Sequence, residues 1–431
     1  MSRDEIYVSL DIGTSSVRVM VGEMNGRQLH VIGVGEAVSD GIKKGAIVDI
    51  DETVYAIESA VTQAERTAGL TIEKAIVGVN GNHIQLQPCH GVVAVSDPNR
   101  EIGADDIERV LDAAQVLSIP PEREVVDVVP SQFIVDGLDE ITDPRGMIGV
   151  RLEMEGMIIT ASKTVLHNLL RCVEKAGLEV ADICLQPLAA GSVAISKDER
   201  SLGVALVDIG GGSTTVSVFE QGRLQAVSVL PIGGDHITND ISVGLRTSTE
   251  DAEQAKIDYG HAFIDEASDD VTFSLVTIGN GVEEAYSQYE MAHIIEPRLE
   301  EVFEMVEAEI AKLGYYDLPG GYALTGGTVM LPGILELARD VLNQGVRIAI
   351  PDHIGVREPK YTNGIGLIEF AQRNVKIQGK EVGAAVAPLE DEHGPTTVEK
   401  RAVKQETVNQ DDSDRPGIKK RVKNVFRVFF E

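Results

Sequence analysis

Apolar and polar positions alternate along the first forty residues as a half-buried sheet requires: "YVSLD" from Tyr7 to Asp11, then "SVRVMVGEMNGRQLHVIGVG" from Ser16 to Gly35. A period of two predicts a strand, a tight turn and a hairpin bending at Met24-Asn25-Gly26. Nearly two hundred residues later the pattern returns in "VALVDIGGGSTTVSVFEQGRLQAVSVLPIGG", with its own bend at Gln221-Gly222. Asp11 corresponds to Asp208 and Gly26 to Gly222, so the offset drifts by a single residue across the hairpin. An internal duplication explains this. After each hairpin the period becomes helical: "DIDETVYAIESAVTQAERTAG" places Val54, Ile57, Ala60, Val61 and Ala64 on one face and stops at Gly69.

These patterns predict an α/β protein of two duplicated lobes with inserted subdomains. Residues 1–83 form the first lobe, continued by 163–199 and 359–380, where "KTVLHNLLRCVEKAGLEVADICLQPLAAGSVAIS" reads as helix, strand, helix. Residues 84–162 read as a small α/β insertion. It has strands at "IQLQP" and "GVVAVS" and an amphipathic helix "GADDIERVLDAAQVLS", with acids in its first turn and Pro120-Pro121 to stop it. The second lobe spans 200–240 and 299–358 and carries its own insertion over 241–298. The helix "RLEEVFEMVEAEIAKLG" follows, with Leu299, Val302, Phe303, Val306 and Ile310 on one face.

Residues 381–416 are rich in Glu, Pro, Thr, Gln and Asp and too poor in apolar side chains to order themselves. They read as a flexible linker with an end-to-end distance on the order of 30 Å. Beyond it, "GIKKRVKNVFRVFFE" is amphipathic. Ile418, Val422, Val425, Phe426 and Phe429, with Phe430 beside them, make an apolar wedge, and Lys419, Lys420, Lys423 and Arg427 a cationic rim. Five basic residues against one acid, Glu431, give this segment a charge of +4. Too short to span a bilayer, it reads as a helix lying in an anionic membrane interface, or alternatively as one docked on a partner or on its own core. One such tail holds weakly; several on one polymer hold firmly, because effective concentration multiplies them.

Composition narrows the function. The chain carries 69 Asp and Glu against 38 Lys and Arg, a formal charge of −31, and that field repels phosphate backbones and excludes a nucleic-acid partner. Cys89, Cys172 and Cys184 have no metal or disulfide spacing and read as small buried hydrophobes of a reducing compartment. His83, His90, His167 and His236 show no ligand spacing, and Met20 and Met24 fit strand packing. The first residues lack the pattern of a secretory leader, and no apolar run reaches the roughly 20 residues of a membrane span.

Candidate chemistry lies in three glycine-rich turns, "DIGTSS", "DIGGGST" and "ALTGGTVMLPG", each following a strand. Such a turn can serve tight packing alone. It can also bring backbone N–H groups against phosphate oxygens where a Cβ would hold them off. Neither GxxxxGK[ST] nor a Rossmann GxGxxG is present, so any phosphate must be held by the opposed hairpins.

"DIGTSSVR", "LQPLAAGSVA", "DIGGGST", "ALTGGTVMLPG" and "TNGIGLIEF" follow the order of the phosphate, connecting, phosphate, adenosine and connecting motifs of the actin-like ATPase superfamily (a ribonuclease H-like fold). In length, early insertion and tail the chain is similar to its bacterial cell-division family, FtsA. The resemblance covers the chain to about Gln378, plus the tail, and implies ATP with Mg²⁺ between the lobes. Asp11 and Asp208 would face the metal through water. Gly13, Thr14, Ser15 and Ser16 would bracket the phosphates from one side and Gly210, Gly211, Gly212, Ser213 and Thr214 from the other. Glu253 and Lys256 would hold the ribose and base, Gly234 would also line the nucleotide, and Gly326 and Gly327 would lie under the adenosine. Gln186 stands where relatives orient the attacking water; equally it could cap the helix starting at Pro187. Because an amide cannot take a proton, and Thr215 stands where many relatives carry Asp, hydrolysis is expected to be slow at most.

The resemblance further implies filaments at the cytoplasmic face of the cell membrane at the division septum. It implies FtsZ as the main partner, its C-terminal segment docking around 241–304, with 84–162 serving self-contact and the recruitment of later division proteins. A sugar or acetate-type kinase is the alternative of another class; it would need a base beside an acceptor pocket and has no use for the basic tail.

Overall fold

A computed structural model describes residues 6–378 apart from 27, 44, 117, 118 and 280, together with 383 and 386–388. The linker and tail expectations, Ile418 to Phe430 included, otherwise lie outside the described residues.

The chain opens with β1 (Ile6–Ile12), β2 (Ser16–Asn25) and β3 (Gln28–Val38), a meander whose first turn keeps Asp11 opposite Arg18. A small hairpin, β4 (Ile42–Lys43) and β5 (Ala46–Ile47), leads to α1 (Ile50–Ala68). Asp49 caps α1 by accepting from the amides of Asp51 and Glu52, and Gly69 ends it at φ 69°. Gly35 lets α1 lie close on β3, for a Cβ there would sit 1.9 Å from Ala60 O. Then come β6 (Leu70–Ile72) and β7 (Lys74–Val79), the latter joining β1 in parallel.

The first insertion holds β8 (Gln85–Ala94), α2 (Ala104–Ala114), β9 (Arg123–Val135), β10 (Leu138–Ile141) and β11 (Arg151–Ser162). Its sheet runs β10-β9-β11-β8, and its core, built on Phe133, Leu152, Met154 and Ile158, is its own. Two expectations change here. "IQLQP" and "GVVAVS", expected as strands, form one strand, Gln85–Ala94, in which Gly91 admits α2: a Cβ there would meet Val110 O at 2.2 Å. And α2 ends before its prolines, at Ala114.

The chain returns through α3 (Lys163–Lys175), β12 (Glu179–Leu185), α4 (Gln186–Ala194) and α5 (Lys197–Leu202). The second lobe follows with β13 (Val204–Ile209), β14 (Thr214–Glu220), β15 (Arg223–Leu230), α6 (Gly234–Leu245) and α7 (Thr249–Tyr259). It continues with β16 (Thr272–Val276), β17 (Glu283–Ser287), α8 (Gln288–Lys312), β18 (Tyr322–Thr325), α9 (Ile334–Leu342) and β19 (Val346–Ile348). Last are α10 (Thr362–Gln378) and β20 (Val386–Pro388).

The two main sheets have the same plan: β3-β2-β1-β7-β12 and β15-β14-β13-β18-β19, each an antiparallel meander extended by two parallel strands. Residues 241–298 differ from a separate insertion. Ile241, Ala252, Phe273, Met291 and Ile295 share one core with Val207, Val216 and Leu324 of the second sheet. The boundary expected after 298 falls inside α8, which begins at Gln288 behind a Ser287–Glu290 capping box and runs through Pro297. The helix expected from Arg298 is thus preceded by about ten further helical residues, starting at the Ser287 cap. Inside the stretch expected as linker, β20 pairs antiparallel with β6, Ala387 opposite Thr71.

Between the lobes runs an apolar seam in which Leu185 and Ala190 of the first meet Leu206, Phe219 and Ala323 of the second. α10 crosses α4 there; a Cβ on Gly366 would meet Ala189 O at 2.4 Å.

Candidate functional site

Each meander leaves an Asp one residue short of its strand end, and the two ends meet across the lobes. Asp11 pairs with Arg18 and Asp208 with Thr215 at equivalent register positions. The turns beyond are closed alike, Gly13 N donating to Ser16 O and Gly210 N to Ser213 O, both at 3.0 Å. They touch: Gly212 N donates to Thr14 Oγ1 at 3.0 Å, and Ser15 Oγ reaches both carboxylate oxygens of Asp235, at 2.7 and 2.9 Å. A Cβ on Gly211 would lie 1.9 Å from Ser15 Oγ, and one on Gly212 2.7 Å from Thr14 Oγ1. Glycine here is the hole into which the other turn's hydroxyls fit.

Asp11 is buried, and burial pushes its carboxyl up to about 6. The Arg18 guanidinium works against that rise, Asp208 adds to it, and hydrogen bonds from Asn363 and Gln186 moderate it. Asp208 is likewise raised, chiefly by burial, against Asn363 and Arg18. Gln186 is buried and its Nε2 donates to Asp11 Oδ1, while Asn363 Nδ2 donates to Asp208 Oδ2 at 2.9 Å. The capping alternative for Gln186 is therefore corrected: its amide is held by Asp11, and Leu185 occupies the cap position of α4. Among the described residues, Ser9 Oγ and Asn363 Oδ1 are buried without hydrogen-bond partners. The donors are all oxygens, suited to a hard hydrated cation, and no group of three His, Cys, Asp or Glu with metal-holding geometry occurs among the described residues.

The remaining expected residues gather on the second-lobe side. Lys256 Nζ donates to Gly234 O (3.1 Å), Thr238 Oγ1 (2.7 Å) and Glu253 Oε2 (2.6 Å), so Glu253 and Lys256 hold each other. Gly326, at φ 100°, backs directly onto Asp208, with Gly327 beside it; a Cβ on Gly326 would lie 2.4 Å from Asp208 Oδ1. Thr214 contributes backbone only, because its buried hydroxyl donates to Ile232 O at 2.8 Å. Thr215 also faces inward and bridges the lobes through Asn80 Oδ1 at 3.2 Å.

Sequence reasoning missed Arg18, Asn363, Thr328 and Asp235. Arg18 was legible as the register partner of Asp11, and Asn363 lies inside the quoted "TNGIGLIEF". Thr328, whose hydroxyl donates to Gly210 O at 2.9 Å, lies inside the quoted "ALTGGTVMLPG", whereas Asp235 gave no signal, since only the folded chain brings it to the first turn.

A family model described as cell division protein FtsA matches residues 205–366, and one for the SHS2 domain inserted in FtsA matches residues 81–160. The cell division protein FtsA of Bacillus subtilis (strain 168) is 59% identical over 383 residues, covering 89% of this chain and 87% of its own. Two solved structures share the fold at low identity. The PilM-PilN type IV pilus biogenesis complex gives a TM-score of 0.58 at 18% identity, covering 86% of this chain and 99% of that one. MreB5 of Spiroplasma citri bound to ADP gives 0.55 at 14%, covering 87% and 98%. The duplicated sheets with their facing Asp turns are thus an actin-like fold, and the chain belongs to the FtsA family of bacterial cell-division proteins.

Proposed function

We propose that the chain binds ATP with Mg²⁺ where the two turns meet, assembles into filaments, and links FtsZ to the inner face of the cytoplasmic membrane at the division septum. The observation that carries this is the pair of carboxylates, buried Asp11 and half-buried Asp208, brought together across two copies of one sheet and both raised by desolvation. Two such groups repel unless a cation lies between them, and the orphaned Asn363 Oδ1 is an acceptor for a water of its hydration shell. The residues present therefore fit a hydrated Mg²⁺, which would neutralise phosphate charge. Gly13 to Ser16 and Gly210 to Ser213 supply backbone amides, Gln186 positions water, and Glu253 with Lys256 borders the sugar side. The Gln186 amide cannot take a proton and Thr215 offers only a hydroxyl, so turnover is slow at most.

The FtsZ segment has a suitable surface on α6, α7 and the β16–β17 hairpin, where Val243, Ile257 and Ile278 are 70%, 64% and 67% exposed. Later division proteins are assigned to the 84–162 insertion, and membrane attachment to residues 417–431.

Removing Gly417 to Glu431 is expected to release the protein from anionic liposomes in a sedimentation assay while ATP binding persists. Continued sedimentation with lipid would refute the anchor, and loss of ATP binding would refute its independence from the cleft.

A further inference from the structure

Asp235 is left without a role by the nucleotide reading. Its amide and that of Gly234 donate to Gly211 O (2.9 Å) and Gly210 O (3.0 Å), so the start of α6 moves with the second turn. Its carboxylate reaches across to Ser15 Oγ of the first turn. A Cβ on Gly211 would lie 2.6 Å from Asp235 Oδ1 and 1.9 Å from Ser15 Oγ, so backbone, hydroxyl and carboxylate converge on one spot. The neighbouring cation does not cancel the charge, because Lys256 is turned to Glu253, Thr238 and Gly234 O.

We propose that Asp235, latched to Ser15 across the lobes, is a specificity-determining residue that disfavours additional phosphate charge between the turns and so sets the balance between nucleoside triphosphate and diphosphate. Ser15 has one hydroxyl proton and can donate it to Asp235 or to a phosphate oxygen, not to both at full strength. Phosphate entering between the turns therefore loses this donor and also faces a like charge. The penalty grows with phosphate charge and falls harder on ATP than on ADP. Any phosphate between the turns competes with Asp235 for the Ser15 proton, and the extra charge of a triphosphate meets the greater repulsion. The proposal rests on the turns holding a polyphosphate.

The test is titration of the full chain, Asp235→Asn and Asp235→Glu with Mg·ATP and Mg·ADP at low and high salt. Asp235 is solvent-exposed on its far side, so screening limits the effect. Asp235→Asn is expected to raise the ATP-to-ADP affinity ratio about fivefold at low salt, with a smaller rise at high salt. Asp235→Glu, which keeps the charge, retains the unsubstituted ratio. An unchanged ratio in Asp235→Asn, or an equal rise in Asp235→Glu, overturns the proposal while the nucleotide reading stands. Absence of binding by the unsubstituted chain removes that reading and the proposal together.

Discussion

The two lobes are copies in topology and opposites in detail where they meet. The first turn, Gly13 to Ser16, carries hydroxyls; the second, Gly210 to Ser213, carries glycines opposite them. Each lobe also lends the other what it lacks. Asp208 of the second is held by Asn363, on a helix packed against α4 of the first, and Ser15 of the first is held by Asp235 of the second. Duplication supplies two equal halves, and a cleft arises once the halves diverge into knob and hole.

The largest effect should follow from filling the hole. Gly211→Val puts a branched side chain where Ser15 Oγ and Asp235 already lie. Calorimetry is expected to show ATP affinity falling more than about a hundredfold, since overpacking of this kind costs about 3 kcal/mol. Wild-type affinity in this variant would break the pairing of the turns.

Next comes the charge on the first lobe. Burial pushes Asp11 up to about 6 in the folded chain against an ordinary 3.8, so the folded state holds its proton more tightly. Stability therefore falls as pH rises from 3.8 to about 6, and the full penalty, up to about 3 kcal/mol, is present above that. Asp11→Asn is expected to raise Tm at pH 8 and to leave it nearly unchanged at pH 3. Because Mg²⁺ needs the ionised form, Mg·ATP affinity in the unsubstituted chain should rise with pH through about 6. A flat profile would place the raised carboxyl elsewhere.

Smaller effects separate the sheets. β3 contains Gly33 and Gly35 beneath α1, whereas β15 contains no glycine. Gly35→Ala drives a methyl into Ala60 O and should cost about 1 to 3 kcal/mol in urea unfolding. Smallest of all are Gly26→Ala and Gly222→Ala in the two hairpin bends. Both glycines have positive φ and nothing within 4 Å of a built Cβ, so each substitution should cost about 1 kcal/mol through backbone strain alone and leave nucleotide affinity untouched.

Much of this comparison was legible in one dimension. A period of two, a repeated Asp-Ile-Gly and a drift of one residue between copies are local patterns, and the duplicated sheets follow from them. Element bounds went astray where a local signal was passed over or where packing decided. Packing of α2 on Gly91 leaves one strand where two were expected, and the capping box at Ser287, a local signal, starts α8 ahead of Pro297. The stretch at 386–388 gave no strand signal of its own, since β6 is its template.

The sequence alone determined the repeated meander, the glycine turns at its strand ends, the separate insertion over 84–162 and the basic amphipathic character of the last fifteen residues, because each is written in neighbours a few positions apart. Only the tertiary structure decided that Gln186 serves Asp11 rather than a helix cap, that Asn363 reaches Asp208, and that Asp235 faces Ser15 from 220 positions away. Hydrogen bonds act over about 3 Å in space, and no spacing along the chain reports which distant residues the packing of two lobes will bring within that reach.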